Sequence, residues 1–201
     1  MPWPGASSVH TPEDRPFIAT VADEARLIAL LRSGDADAFE RVYRSYVVAL
    51  CRLADSYVRS RDAAEDIVQD LFTWLWANRH GFHPEHGLRA YLFGAVRNRA
   101  LNALRDEATA SRLVETQPSS GVGRAESADA QLMAADLESA IQDAVEGMPP
   151  RCREVFVLLR TQALTYAQVA VILGISPKTV EVHMGRALAI LRARLGPWLS
   201  E

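Results

Sequence analysis

Apolar residues recur at spacings of three and four from about position 23 to 105, and again from 137 onward. That is the period of helices with one buried face. A first helix is expected over Glu24–Ser33, stopped by Gly34. A second begins near Asp35 (DADAFERVYRSYVVALCRLADSYV), with Phe39, Val42, Tyr43, Tyr46 and Leu50 along one side. A third begins near Ser60 (SRDAAEDIVQDLFTWLWANR). The loop HGFHPEHG, with Gly81, Pro84 and Gly87, then breaks the pattern before a fourth helix, LRAYLFGAVRNRALNALRDE. From Leu137 one helix runs to about Glu146, another covers Cys152–Arg160, and a closing pair follows. No alternating β-branched run interrupts, so the sequence predicts an all-α protein of two small helical domains, 23–106 and 137–197.

Composition shifts separate these domains from the rest. Residues 107–136 are rich in Ala, Ser, Gly, Glu and Thr, as expected of a flexible linker. Residues 1–22 contain four of the ten prolines and no sustained period, which predicts a mobile tail. The net charge of −3 is unevenly distributed. Acids outnumber bases four to one in residues 1–25 and five to two in 107–136, whereas bases lead twelve to ten in 26–106 and seven to six in 137–201. The helical segments are therefore slightly basic, and a weak field of this kind suits a protein that binds DNA with help. Apolar stretches fall short of the roughly 18 residues that span a bilayer. The N-terminus lacks the basic-then-apolar order of a secretory signal, so a cytoplasmic protein without direct membrane insertion is expected. Cys51 and Cys152, the two cysteines, each sit in an apolar helical pattern and are expected as buried thiols rather than a disulfide.

The stretch LTYAQVAVILGISPKTVEVHMGRALAILRARL has the sequence of a helix-turn-helix. Thr165 and Gln168 are spaced as a capping box. Gly174 stands where the first helix must stop, Ile175 fills the turn, Ser176 caps the next helix and Pro177 opens it. On that second helix Val180, Met184, Ala187, Leu188 and Leu191 share one face, which must be core. The opposite face presents Lys178, Thr179, Val182 and Arg186, flanked by Glu181 and His183, with Gly185 also outward. Such a face can reach base edges in a major groove. The plainer alternative is an αα-hairpin with a solvated charged face; caps, turn and face together favour DNA.

In the third helix, Glu65, Asp66, Gln69 and Asp70 lie within about 80° of Asp62, while Ile67, Leu71, Trp74 and Leu75 lie opposite. Phe72, Trp74, Trp76 and Phe93 are expected in the core. A wide acidic face precedes an aromatic, histidine-bearing loop and a helix carrying Arg97, Asn98, Arg99, Asn102 and Arg105. His80, His83 and His86 recur every third residue, but without a cysteine or fourth ligand nearby, and no metal site or cofactor is expected. Neither a nucleophile–base pair nor a Gly-rich phosphate loop appears, so an enzyme is not expected.

AEDIVQDLFTWLW followed by LRAYLFGAVRNRALNALR resembles the second conserved region of sigma-70 factors. MPPRCREVFVLLRTQALTYAQVAVILGISPKTVEVHMGRALAILRARL resembles the fourth, and the short linker between them resembles the extracytoplasmic-function (ECF) group. The resemblance implies a promoter-specificity subunit of RNA polymerase. It places Asp62, Glu65, Asp66, Gln69 and Asp70 against the core enzyme. For the −10 element it implies Phe82, His83 and Tyr91 as stacking groups or pocket walls, with Arg89, Arg97, Asn98, Asn102 and Arg105 on phosphates and bases. For the −35 element it implies Thr165, Ser176, Lys178, Thr179, Glu181, Val182, His183 and Arg186. Tyr91 stands where the family commonly has Trp, Gly94 where a bulkier polar residue is usual, and Asn102 where Asp is common. An anti-sigma factor is the further partner implied. The alternative is a LuxR-type operator-binding regulator, whose terminal motif is close to ISPKTVEVH.

Overall fold

A computed structural model of the chain describes residues 21–111 and 139–196. Residues 1–20 of the expected tail, and the expected linker from residue 112 on, lie outside these residues; Val21 and Ala22, expected in the tail, instead open the first helix. The chain divides into two compact units, Met1–Leu88 and Arg89–Glu201.

The first unit is built on α1 (Val21–Ser33), α2 (Ala36–Val58) and α3 (Arg61–Ala77). Its helix boundaries follow from local chemistry. Gly34 takes φ +84°, a left-handed conformation that ends α1 at little cost to a residue without Cβ. One residue on, Asp35 accepts a hydrogen bond from the Ala38 amide at 2.8 Å and starts α2. Ser60 caps α3 in the same way, from the Ala63 amide at 3.4 Å. α2 buries Val42, Tyr46, Leu50 and Leu53, and α3 buries Ile67, Val68, Leu71, Phe72 and Leu75. Each fully buried leucine contributes about 1.5–3 kcal/mol. Phe39 and Tyr43 meet Phe72 edge-on at 6.0 and 4.9 Å between ring centres. A short 3-10 turn, Arg79–Gly81, leads out of α3, and the Glu24 carboxylate accepts the Leu88 amide to tie α1 to the unit's end.

The second unit contains α4 (Leu88–Ser111) from its second residue on, α5 (residues 139–146), α6 (Pro150–Phe156), α7 (Tyr166–Leu173) and α8 (Pro177–Leu195). α4 continues five residues past Asp106, where the sequence pattern placed the linker's start. Leu88, Ala90, Leu92, Phe93, Val96 and Ala100 are buried on it. The expected helix over Cys152–Arg160 is not uniform. Beyond α6 it widens into a π-helical stretch, Val157–Thr161, in which the Gln162 amide reaches back to the Val157 carbonyl at 3.2 Å. Met148, Cys152 and Ala187 form a buried cluster, with Val145, Phe156, Ile190 and Leu191 packed on it. This cluster fixes α8 against α6 and so sets which face of α8 remains outside.

Candidate nucleic-acid interface

In the first unit the acidic side of α3 is presented outward. Asp62, Glu65, Asp66, Gln69 and Asp70 are all exposed, while Ile67, Leu71 and Leu75 behind them are buried. Glu65 is held by Arg61 at 2.8 Å, an exposed pair one turn apart on α3. The same face borders a groove of about 510 Å³ lined by Tyr43, Val47, Val48 and Cys51 together with Asp62, Glu65, Asp66 and Gln69. Tyr43 and Val48 expose apolar surface there. Burial, with Glu65 adding to it, raises the Cys51 thiol above its usual range. Cys51 is half-buried rather than fully buried as expected; Cys152 is fully buried, and both are free thiols.

The segment after α3 separates two residues that the sequence grouped. His83 is exposed, as are His80 and His86, whereas Phe82 is only 4% exposed and belongs to the core. In this structure Phe82 offers no stacking surface, because its ring is occupied by packing. Conversely Trp74, expected in the core, is 44% exposed. Its position on the apolar arc of α3 lies beyond what neighbouring helices cover. Among the described residues no group of three or more His, Cys, Asp or Glu side chains could hold a metal ion.

On α4 the polar candidates fall into two sets. Asn98, Asn102 and Arg105 are exposed, and Arg105 donates to the Asn102 Oδ1 at 3.2 Å. Arg89, Tyr91 and Arg97 are partly buried. Burial raises the Tyr91 phenol, with Arg99 acting in the opposite direction. The Arg89 guanidinium lies 5.6 Å from the Phe93 ring centre and donates to the Gln162 carbonyl. Arg97 Nε donates to Glu154 Oε1 at 2.5 Å.

The helix-turn-helix forms through the caps the sequence carries. Thr165 Oγ1 accepts from the Gln168 amide at 3.2 Å, and the Thr165 amide donates to Gln168 Oε1 at 2.9 Å, completing the capping box. Gly174 closes α7 at φ +64°. Ser176 Oγ accepts from the Thr179 amide at 3.1 Å and shares a second bond with Thr179 Oγ1 at 2.8 Å. The hydroxyls of Thr165 and Ser176 are thus engaged in holding the motif together. Removing the cap in Thr165→Ala is expected to cost about 1 kcal/mol of stability, read as a lower thermal midpoint, with α8's outward residues unaltered.

α8 buries Val180, Met184 and Ala187 completely and Leu188 and Leu191 in part. Lys178, Glu181, Val182, Gly185 and Arg186 are exposed, and Thr179 is half-exposed. Lys178 Nζ donates to Glu181 Oε2 at 2.7 Å, and this bond raises the ammonium above its usual range. His183, expected on the flank, turns inward: its Nδ1 lies 3.6 Å from the Cys152 Sγ. The region matching sigma-70 region 4 spans residues 138–191, and that matching sigma-70 region 2 spans residues 42–109. The RNA polymerase sigma factor CnrH of Cupriavidus metallidurans is 31% identical over 176 residues, covering 84% of this chain and 92% of its own.

The chain belongs to the sigma-70 family, in its ECF group. The ECF sigma factor SigM of Mycobacterium tuberculosis is 28% identical across 86% of this chain and 85% of its own. Two solved structures share the fold. CnrH in complex with the cytosolic domain of CnrY is 28% identical, with a TM-score of 0.61 over 87% of this chain and 97% of that one. The sigma factor RpoE of Bartonella quintana, in complex with the anti-sigma factor NepR, is 23% identical, with a TM-score of 0.62 over 81% and 98%. Sigma factors are transcription initiation factors. Among the described residues of this one there is no strand, and nothing in these comparisons favours the LuxR-type alternative. No described helix is long and apolar enough to cross a membrane.

Three residues of this sigma factor shape the candidate surfaces in ways the sequence did not indicate: Glu154 and Gln162, which it did not single out, and Cys152, expected only as a buried thiol. Each acts through a partner 31 to 73 positions away in the chain. A spacing pattern within one helix carries no trace of such pairings.

Proposed function

We propose that this sigma factor docks on core RNA polymerase through Asp62, Glu65, Asp66, Gln69 and Asp70. It reads the −10 element with His83 and the polar residues of α4, and the −35 element with the outward face of α8. The observation that carries this reading is the acidic side of α3, wholly exposed above a continuous buried face. Five polar side chains concentrated on one arc supply a charged surface that core packing does not use. On α8 the same logic applies with opposite sign. Arg186 has the guanidinium that pairs bidentately with a guanine edge, and Val182 offers an apolar contact for a thymine methyl group. The helix start at Pro177 favours a phosphate. Separated bases of an opened −10 strand would stack on Tyr91 or His83, at about 1–3 kcal/mol per base.

The protein is proposed to work in the cytoplasm with core RNA polymerase and promoter DNA, and to be restrained by an anti-sigma factor. CnrH, which forms a complex with the cytosolic domain of CnrY, supports such a partner. Run-off transcription with purified core polymerase, with and without this chain, tests the reading. Promoter-dependent transcripts are expected only when it is present. Specific DNA binding by the chain alone, with no effect on polymerase, would instead support an operator-binding regulator.

Lys178 gives a narrower test. Its ammonium is exposed and its carboxylate partner Glu181 is also exposed, so exchange of Glu181 for a DNA phosphate requires little reorganisation. Lys178→Ala holoenzyme is expected to bind all promoter sequences more weakly, and to lose about one unit of slope in log affinity against log salt. An unchanged slope would remove Lys178 from the interface.

A further inference from the structure

We infer that the chain closes part of α4's DNA-facing side with its own Glu154, a carboxylate standing where a nucleic-acid phosphate would bind. The inference rests on the reading above, in which Arg89 and Arg97 meet DNA. Within the second unit both arginines are engaged by the segment from α6 to the turn before α7. Arg97 pairs with Glu154 at 2.5 Å, and the two side chains are only 13% and 10% exposed. Arg151 holds the second Glu154 oxygen at 2.9 Å, which fixes the carboxylate in place. Two turns earlier on α4, Arg89 donates to the Gln162 carbonyl, and Gln162 itself is 3% exposed. Between the two arginines, a Cβ built on Gly94 would lie 3.9 Å from Ile172 of α7. A Cβ there would make only an ordinary contact with Ile172.

The chemistry suits a reversible closure. A guanidinium fork accepts carboxylate and phosphate oxygens in the same planar geometry, so Glu154 and a DNA phosphate compete for the same donors. A pair this well buried also gains little net free energy, because desolvating both charges offsets most of their attraction. The contact therefore defines a closed arrangement without making it costly to leave. Asn98, Asn102 and Arg105 stay exposed, so DNA has a foothold on α4 before the closure releases.

The test uses the full chain without polymerase and a fluorescein-labelled 12-nucleotide single strand of random sequence. Glu154→Gln keeps the shape and removes the charge. It is expected to bind the strand about tenfold more tightly than wild type, as when a competent state populated to roughly 10% becomes dominant. Gly94→Gln leaves Glu154 intact and adds atoms beyond a Cβ that already touches Ile172 at 3.9 Å, so it should loosen the closure and give a similar gain. Glu146→Gln removes an exposed carboxylate away from Arg97 and should give none. Adding Arg97→Gln to Glu154→Gln should abolish the gain, and circular dichroism should show unchanged helicity throughout. Wild-type affinity for both Glu154→Gln and Gly94→Gln, with Arg97→Gln weaker than wild type, would overturn the closure while leaving the DNA role of α4 standing. An equal gain from Glu146→Gln would overturn it as a general charge effect. If Arg97→Gln changes nothing in either background, the α4 reading fails and the closure fails with it.

Discussion

Replacing Asp66 and Asp70 together by lysine is expected to weaken binding to core RNA polymerase at least about 100-fold while the fold stays intact. Both carboxylates are exposed and lie one turn apart on α3, with Ile67 and Leu71 turned to the core beside them. Glu65 is the less suitable target, because Arg61 already neutralises part of its charge. Removing one member of a desolvated charge pair at an interface costs about 2–5 kcal/mol, and about 1.4 kcal/mol is a tenfold loss. Two reversals at even the lower bound therefore exceed 100-fold. Lysine has the better helix propensity of the two residues, so α3 itself gains slightly. Affinity is measured by displacement of labelled wild-type sigma factor from core enzyme, and stability by thermal melting. Equal affinity for variant and wild type would mean that the acidic face is merely solvated.

Arg186→Ala is expected to cost about 1–3 kcal/mol in promoter binding, concentrated at one base pair of the −35 element. Arg186 is exposed, and it lies across α8 from Val180, Met184 and Ala187, so truncating it leaves the helix packing unaltered. The measurement compares holoenzyme affinities on a set of promoters substituted one base pair at a time. Wild type should rank them steeply at one position, where Arg186→Ala ranks them evenly. If the two rankings coincide, sequence reading falls to Thr179 and Glu181. Those two have competing engagements, Thr179 with Ser176 and Glu181 with Lys178.

The parts of this molecule legible in the sequence are those governed by neighbours within a few positions. Asp35, Ser60, Thr165 and Ser176 all cap the helices that they precede, because a cap needs only a side-chain oxygen and an amide three residues on. The buried face of α8 follows from its period for the same reason. Phe82 and Trp74 show where period stops being informative. A lone aromatic between Gly81 and His83 has no helical partner to reveal that its ring goes inward. Trp74 lies on an apolar arc, yet nothing local states how far the adjoining helices extend over it. The π-helical stretch at Val157–Thr161 is likewise unmarked, since VLLRT is compatible with an ordinary helix. Glu154 sits among arginines in PPRCRE and looks like a solvated charge until the fold sets Arg97 beside it.

Lys178 is the chain's single lysine, and it stands at the mouth of the recognition helix with 82% of its side chain exposed. An amine-selective acylating reagent therefore has one side-chain target in these 201 residues. The reaction needs the neutral amine, and Glu181 slows it by favouring the ammonium. A DNA phosphate taking Glu181's place would keep that protection, while the approach of the duplex would add a steric shield. One modified position then serves as a chemical footprint of −35 occupancy, with no engineered label and no second lysine to confuse the signal.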